Sequence, residues 1–210
     1  MNKELQKIFI GYDSFKELDL QDGYCGPGST LWYTKPLRSS LVAFLKKHNI
    51  NSMLDAPCGC HQWMSKVILP DGFEYIGGDI GESLIARNKL LYDRNFQVLD
   101  ITDDELPGKD LMMVRDCLFH FSNDFKIKFF NNFIRSNCKF LLTSAHPRNM
   151  SNGNSTMREA YFEQVNWQLP PWNFPTPIDL IVDYEEGNPL FAPYPYRTME
   201  LYSKSQISLS

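Results

Sequence analysis

Residues 50 to 79 read INSMLDAPCGCHQWMSKVILPDGFEYIGGD, and this stretch decides the fold. The run Asn51 to Ala56 is almost continuously apolar and carries Asp55 near its end, as a buried parallel strand should. A tight Pro57-Cys58-Gly59 turn follows, the spacing predicts a helix opening near Gln62, and a second strand, Phe73 to Asp79, finishes on a carboxylate. That order is the first βαβ unit of an open parallel sheet, in which ligands sit beyond the carboxyl ends of the strands. Gly59 lets the backbone approach a ligand, and Asp79 can accept hydrogen bonds from two ribose hydroxyls.

The turn carries one glycine, so the G-x-G-x-x-G fingerprint of dinucleotide sites is absent. A pyrophosphate needs several bare N–H groups at a helix N-terminus, and Pro57 removes one donor. A nucleoside without a diphosphate therefore fits better than NAD or FAD.

Outward from this unit the pattern repeats. Thr34 to His48 reads as a helix, with Pro36 in the first turn, Leu37, Leu41, Phe44 and Leu45 on one face, and Lys46-Lys47-His48 at the end. Gly81 to Tyr92 and Asp124 to Ser136 are also helical; Phe96 to Leu99, Asp110 to Val114 and Cys138 to Thr143 are the third to fifth strands. Ile178 to Tyr184 and Thr198 to Ser203 close the sheet, while Met1 to Leu20 reads as a short helix with an irregular lead. Gly23 to Thr30 is glycine-rich but lacks the G-K-[ST] ending of a P-loop and follows no strand. The stretch from Asn149 to Thr156 is polar and reads as mobile. No repeat or linker divides the chain, so 1–210 reads as one domain: 1–49 as cap and lid helices, 50–145 as the core and 146–210 as a loop with the closing strands.

Composition narrows the function classes. A chain of 210 residues with 43% hydrophobic and 22% charged content is ordinary for a soluble globular protein. The formal net charge of -4, with a pI near 5.6, provides no electrostatic footprint for nucleic acid. Five cysteines form no disulfide framework, which points to the cytoplasm. No apolar run approaches the roughly 18 residues that span a bilayer, and Met1 to Gly11 lacks the pattern of a signal peptide. Cys58-x-Cys60-His61 lacks the paired spacing of a zinc site, so no metal is expected.

At Leu54, Asp55, Pro57, Cys58, Gly59, Trp63 and Met64 the chain resembles the class I S-adenosylmethionine (SAM) methyltransferases, in particular a bacterial L-D-x-P-C-G-x-x-x-W-M group found in surface (capsular) polysaccharide clusters. Asp79, the L-D-I-T of Leu99 to Thr102 and the R-D-C-L-F-H of Arg115 to His120 extend the likeness, which covers roughly Gly23 to Thr143; Cys60-His61-Gln62 departs from it, where an acidic residue is expected. The resemblance implies a Rossmann-like fold with a mostly parallel seven-stranded sheet, helices on both faces and an antiparallel closing hairpin whose last strand is inserted. It also implies SAM as cofactor, S-adenosylhomocysteine as product, and an oxygen of a small polar acceptor, a sugar hydroxyl or a phosphorylated metabolite such as an O-methyl phosphoramidate precursor, as the target. Neither nucleic acid nor membrane is expected as a partner. Two rivals stay open, methylation of RNA or protein and a non-catalytic SAM-binding subunit.

The same resemblance distributes roles. Asp55, Pro57, Cys58, Gly59, Trp63, Asp79, Ile80 and Arg115 are expected around the cofactor. Asp100 and Ile101 are expected at adenine, the favoured reading, with Asp100 as a turn-former ahead of Thr102-Asp103-Asp104 the alternative. Arg38 can pair with the methionine carboxylate or lie exposed on its helix. His120 suits a general base, with Asp116 orienting it or binding the acceptor, or is a partly buried helix residue between Phe119 and Phe121. His146 is a second acceptor contact or a turn residue before Pro147; Trp32 and Tyr33 can close the pocket, and Trp172, in a rigid Pro-Pro-Trp loop, can wall the acceptor. Arg148, Arg158 and Arg197 can meet a phosphate or carboxylate, though no spacing singles them out.

Overall fold

The computed structural model describes residues 25–153, 162–184 and 196–208. The helix expected over 1–20, Arg158 and the end of the polar stretch 149–156 lie outside the described residues. Seven strands form a single sheet in the order β3-β2-β1-β4-β5-β7-β6. They are β1 (Ser52–Asp55), β2 (Glu74–Asp79), β3 (Asn95–Val98), β4 (Leu111–Val114), β5 (Phe140–Ala145), β6 (Asp179–Tyr184) and β7 (Arg197–Ser203). The first five run parallel, while β7 pairs antiparallel with both β5 and β6 and so is inserted between them. This is the expected mostly parallel sheet with its antiparallel closure.

The central strands are buried on both faces, and their side chains alternate between two cores. Met112 and Val114 join Leu54 and Leu141 on one face, whereas Leu111 and Met113 join Met53 and Leu142 on the other. Helix α1 (Lys35–Lys47) covers the second face with Leu37, Leu41, Phe44 and Leu45. Helix α2 (Glu82–Leu91) lies on that face too, through Ile85, and leaves Leu90 exposed. Helix α3 (Asn123–Arg135) covers the first face: Phe125, Phe129, Phe130 and Phe133 recur at helical spacing, and the Ser122 hydroxyl caps it by accepting from the N–H of Phe125.

The helix expected near Gln62 is replaced by a 3₁₀ turn, Met64–Lys66. The connection must return along the length of β2, a span of about 20 Å for six residues at ~3.3 Å each. Eight residues of α-helix, Gln62 to Leu69, would cover only about 12 Å before Pro70 stops them. One tight turn that buries Trp63 and Met64, followed by extended chain, spans the distance.

Phe130 packs edge-on against Trp167 and Phe174 and contacts Trp172 at 5.6 Å. Phe130→Ala is expected to cost about 3–5 kcal/mol, read as a lower urea midpoint with an unchanged slope.

Candidate active site

The turn after β1 and the end of β2 are locked together by one carboxylate. Asp79 Oδ2 accepts the N–H of Gly59 at 3.0 Å and Oδ1 accepts the N–H of Gly81 at 3.0 Å. Gly59 adopts φ +53°, a left-handed conformation that its missing Cβ permits, and its carbonyl accepts from Asn88 Nδ2 at 2.7 Å. The carboxylate is thus aimed by backbone from both neighbouring turns.

Beneath this turn Asp55 is fully buried. Its Oδ2 accepts the Tyr75 hydroxyl at 2.6 Å, and that hydroxyl also meets His61 Nδ1 at 3.0 Å. Burial pushes the Asp55 carboxyl up to about 7, against the lowering pull of Tyr75 and Arg115. Burial, with the charge of Arg94, pulls the His61 imidazole down to about 3, so it is neutral.

The end of β4 carries Arg115, whose Nε donates to Asp183 at 3.1 Å. Arg197, at the start of β7, donates to Asp183 from Nε at 2.8 Å and reaches Asp116 Oδ1 from Nη1 at 2.6 Å. Asp183 is the residue left over where the β6–β7 register shifts between Val182 and Tyr184, and this bulge turns it inward. Burial alone would raise its carboxyl, but the guanidiniums of Arg115 and Arg197 prevail and hold it below the ordinary carboxylate range. Arg115 Nη2 is buried with no hydrogen-bond partner among the described residues, while the guanidinium lies over Trp63 at 5.3 Å.

The segment before α1 closes the arrangement. A 3₁₀ turn, Pro27–Ser29, brings Gly28 against the Asp116 carboxylate, where any Cβ would collide with Oδ2. Tyr33 stacks on Tyr184 at 4.7 Å, and the Arg197 guanidinium sits over its ring at 4.9 Å.

These parts enclose a cavity of about 350 Å³ at the carboxyl ends of the strands. Of the residues singled out in the sequence, Asp55, Pro57, Cys58, Gly59, Trp63, Asp79, Ile80, Arg115, Asp116 and His120 all line it, as does Tyr33. His120 ends the 3₁₀ turn Leu118–His120, its ring 4.6 Å from that of Phe119. Six others lie outside the lining. Asp100 Oδ1 accepts the N–H and hydroxyl of Thr102 at 2.9 and 2.7 Å, which is turn chemistry, and Ile101 is in the core. Arg38 donates to the Leu31 carbonyl and to Thr34 Oγ1, and Trp32 is 40% exposed. His146 is buried, its Nδ1 accepts the N–H of Val165 at 3.1 Å, and burial lowers its imidazole to about 3. Trp172 packs with Phe130 and Trp167; Phe119 and Phe162 supply the aromatic wall instead. Arg197 lines the cavity, whereas Arg148 lies over the Tyr196 ring at 4.3 Å.

Asp183 and Phe162 went unnoticed in the sequence. An acid inside the otherwise apolar run Leu180 to Tyr184 is a signal for the first, since a buried charge requires a partner. Nothing local marks Phe162. Among the described residues no group of three or more His, Cys, Asp or Glu side chains is arranged to hold a metal.

Known structures share this architecture. The magnesium protoporphyrin IX methyltransferase ChlM of Synechocystis PCC 6803, with bound SAH, aligns at a TM-score of 0.61 and 14% identity, over 97% of this chain and 100% of its own. The fold is the Rossmann-like methyltransferase fold. The methyltransferase domain of bacterial CtHen1-CN aligns at 0.59 and 15% identity over 81% and 99% of the two chains. Human N-acetylserotonin methyltransferase in complex with SAM aligns at 0.54 and 14%, over 92% of this chain and 62% of its own. Neither a family model nor a curated protein matches the sequence.

Because the Asp55 carboxyl is raised above its unfolded value near 4, the folded state holds its proton more tightly, and the resulting stability is lost as pH rises through about 7. Asp55→Asn should therefore flatten the fall in unfolding free energy between about pH 4 and 7.5, by up to about 4 kcal/mol, as read by urea titration at each pH.

Proposed function

We propose that this chain is a SAM-dependent methyltransferase acting on an oxygen of a small polar acceptor. The observation that carries the reading is the Asp79 carboxylate, fixed by the amides of Gly59 and Gly81 on the wall of the cavity. A carboxylate at this position suits ribose hydroxyls, and Pro57 to Gly59 lets the nucleoside lie close to backbone. The orphaned Nη2 of buried Arg115 suits the methionine carboxylate, so the donor set fits the cofactor. Trp63 lines the same wall and gives it an apolar face.

SAM bound here would supply an activated methyl on a cationic sulfur. The chain then has to orient the acceptor and exclude water, and orientation alone can lower a barrier by roughly 7 to 11 kcal/mol. His120 is placed on the cavity wall to take a proton from an acceptor hydroxyl, while Asp116, fixed by Arg197, positions the acceptor. Phe119 and Phe162 provide an apolar face, and Arg197 a cationic one, for a sugar or a phosphorylated metabolite of the kind assembled into surface polysaccharides. Acidic net charge favours neither RNA nor DNA as acceptor. Among the described residues no helix is long and apolar enough to cross a membrane.

Asp79→Ala is expected to lower SAM affinity at least about a hundredfold by calorimetry while retaining the far-ultraviolet spectrum; unchanged binding would remove the ribose assignment. His120→Ala should cut turnover at least about a hundredfold with S-adenosylhomocysteine affinity retained. A much smaller loss means an acceptor oxygen that is already anionic. Stabilisation by NADH and not by S-adenosylhomocysteine in a thermal melt would overturn the whole reading.

A further inference from the structure

Two thiols meet on the wall of this cavity, and neither the cofactor reading nor the fold accounts for them. Cys25 lies just before the 3₁₀ turn Pro27–Ser29 on the cavity wall, and Cys60 belongs to the glycine turn. The backbone N–H of Cys60 points at Cys25 Sγ, 3.0 Å away. A Cβ placed on Gly59 would touch both Cβ and Sγ of Cys25 at 3.7 Å, so the Cys25 side chain lies flat on the turn. Cys58, Cys117 and Cys138 are buried, and of these only Cys58 lines the cavity.

We infer that Cys25 and Cys60 are a peroxide-sensitive thiol pair whose disulfide ties the covering segment to the glycine turn and so regulates exchange through the cavity. The chemistry is that of an ordinary resolving pair. The Cys60 thiolate attacks one oxygen of hydrogen peroxide, the O–O bond breaks, and hydroxide leaves and is protonated to water. Cys60 is then a sulfenic acid. The Cys25 sulfur attacks it, the S–O bond breaks, the oxygen leaves as a second water with the Cys25 proton, and the S–S bond forms. Two thiols have lost two electrons to one peroxide.

The microenvironment assigns the roles. The Cys60 thiol is drawn down to about 7 by its neighbour Cys25, against the raising effect of burial. The Cys25 thiol is pushed up, first by its hydrogen bond to Cys60 and then by burial, so it is the resolving partner. The Asp79 charge opposes ionisation at Cys25 as well.

The mechanical consequence follows from what Cys25 precedes. Gly26 to Ser29 and Tyr33 line the cavity, and Gly28 rests on Asp116. In the reduced protein this cover is held by hydrogen bonds, ring stacking and a cation–π contact, none of them covalent; a covalent tie at Cys25 would restrict its movement.

The consequence for exchange rests on the proposed SAM site, but the crosslink does not, which allows the two to fail separately. The full chain is treated with hydrogen peroxide, blocked with an alkylating agent and mapped by peptide mass spectrometry. A Cys25–Cys60 crosslink, reversed by dithiothreitol and absent from Cys25→Ser and Cys60→Ser, is expected; Cys138→Ser should retain it. When the chain is loaded with S-adenosylhomocysteine before oxidation, release should become at least about tenfold slower and recover on reduction. Peroxide that yields only sulfinic acid on Cys60, or a crosslink from Cys60 to Cys58, overturns the inference. So does a Cys25–Cys60 crosslink that leaves release unchanged. A chain that crosslinks yet binds no S-adenosylhomocysteine refutes the cofactor reading and the regulatory half, leaving the thiol pair.

Discussion

Asp183 sits at no measurable exposure and accepts from two guanidiniums at once. Removing three charges from water costs several kcal/mol per ion, a cost met only if geometry and count both balance. The count is completed by Asp116, which takes the outer face of Arg197 at 2.6 Å and of Arg115 at 3.3 Å. Two cations and two anions thus hold the ends of β4, β6 and β7 to one another. The β6 bulge exists at the point where this is needed, because a regular strand would place successive side chains on opposite faces and Asp183 and Tyr184 are both buried.

The covering segment depends on that quartet. Tyr33 is sandwiched between the Tyr184 ring and the Arg197 guanidinium, and Gly28 has no side chain to keep it off Asp116. Burial pushes the Tyr33 phenol up, so it meets Arg197 as a neutral ring with an electron-rich face. At the other end the cover is met by the Cys60 amide. The cavity is therefore framed by one rigid floor, built from strand ends and the Asp79 tie, and one roof attached by ring, ion and thiol contacts.

Much of the floor was legible because it is local. Asp55, Gly59 and Asp79 lie within one βαβ unit, and the strand-turn-strand order of that unit dictates that they meet at the top of the sheet. The amphipathic spacing in α1 and the phenylalanine spacing in α3 likewise reported which faces are buried. The helix expected at Gln62 was not formed because periodicity measures amphipathicity and is silent on how far the connection must reach. Trp172 and Trp32 looked alike in sequence as large aromatic rings in loops; packing around Phe130 buried the first, while the second is 40% exposed.

What the sequence by itself determined is the strands, the parallel direction of the first five and the position of the glycine turn beside Asp79, because hydrophobic period and chain chirality act over a few residues. Tertiary structure alone decided the partners across long separations: Arg115 with Asp183, 68 residues apart, and Cys60 with Cys25, 35 apart. The physical reason is that charge balance and thiol contact are properties of the space between elements, and that space is defined only after the sheet has closed.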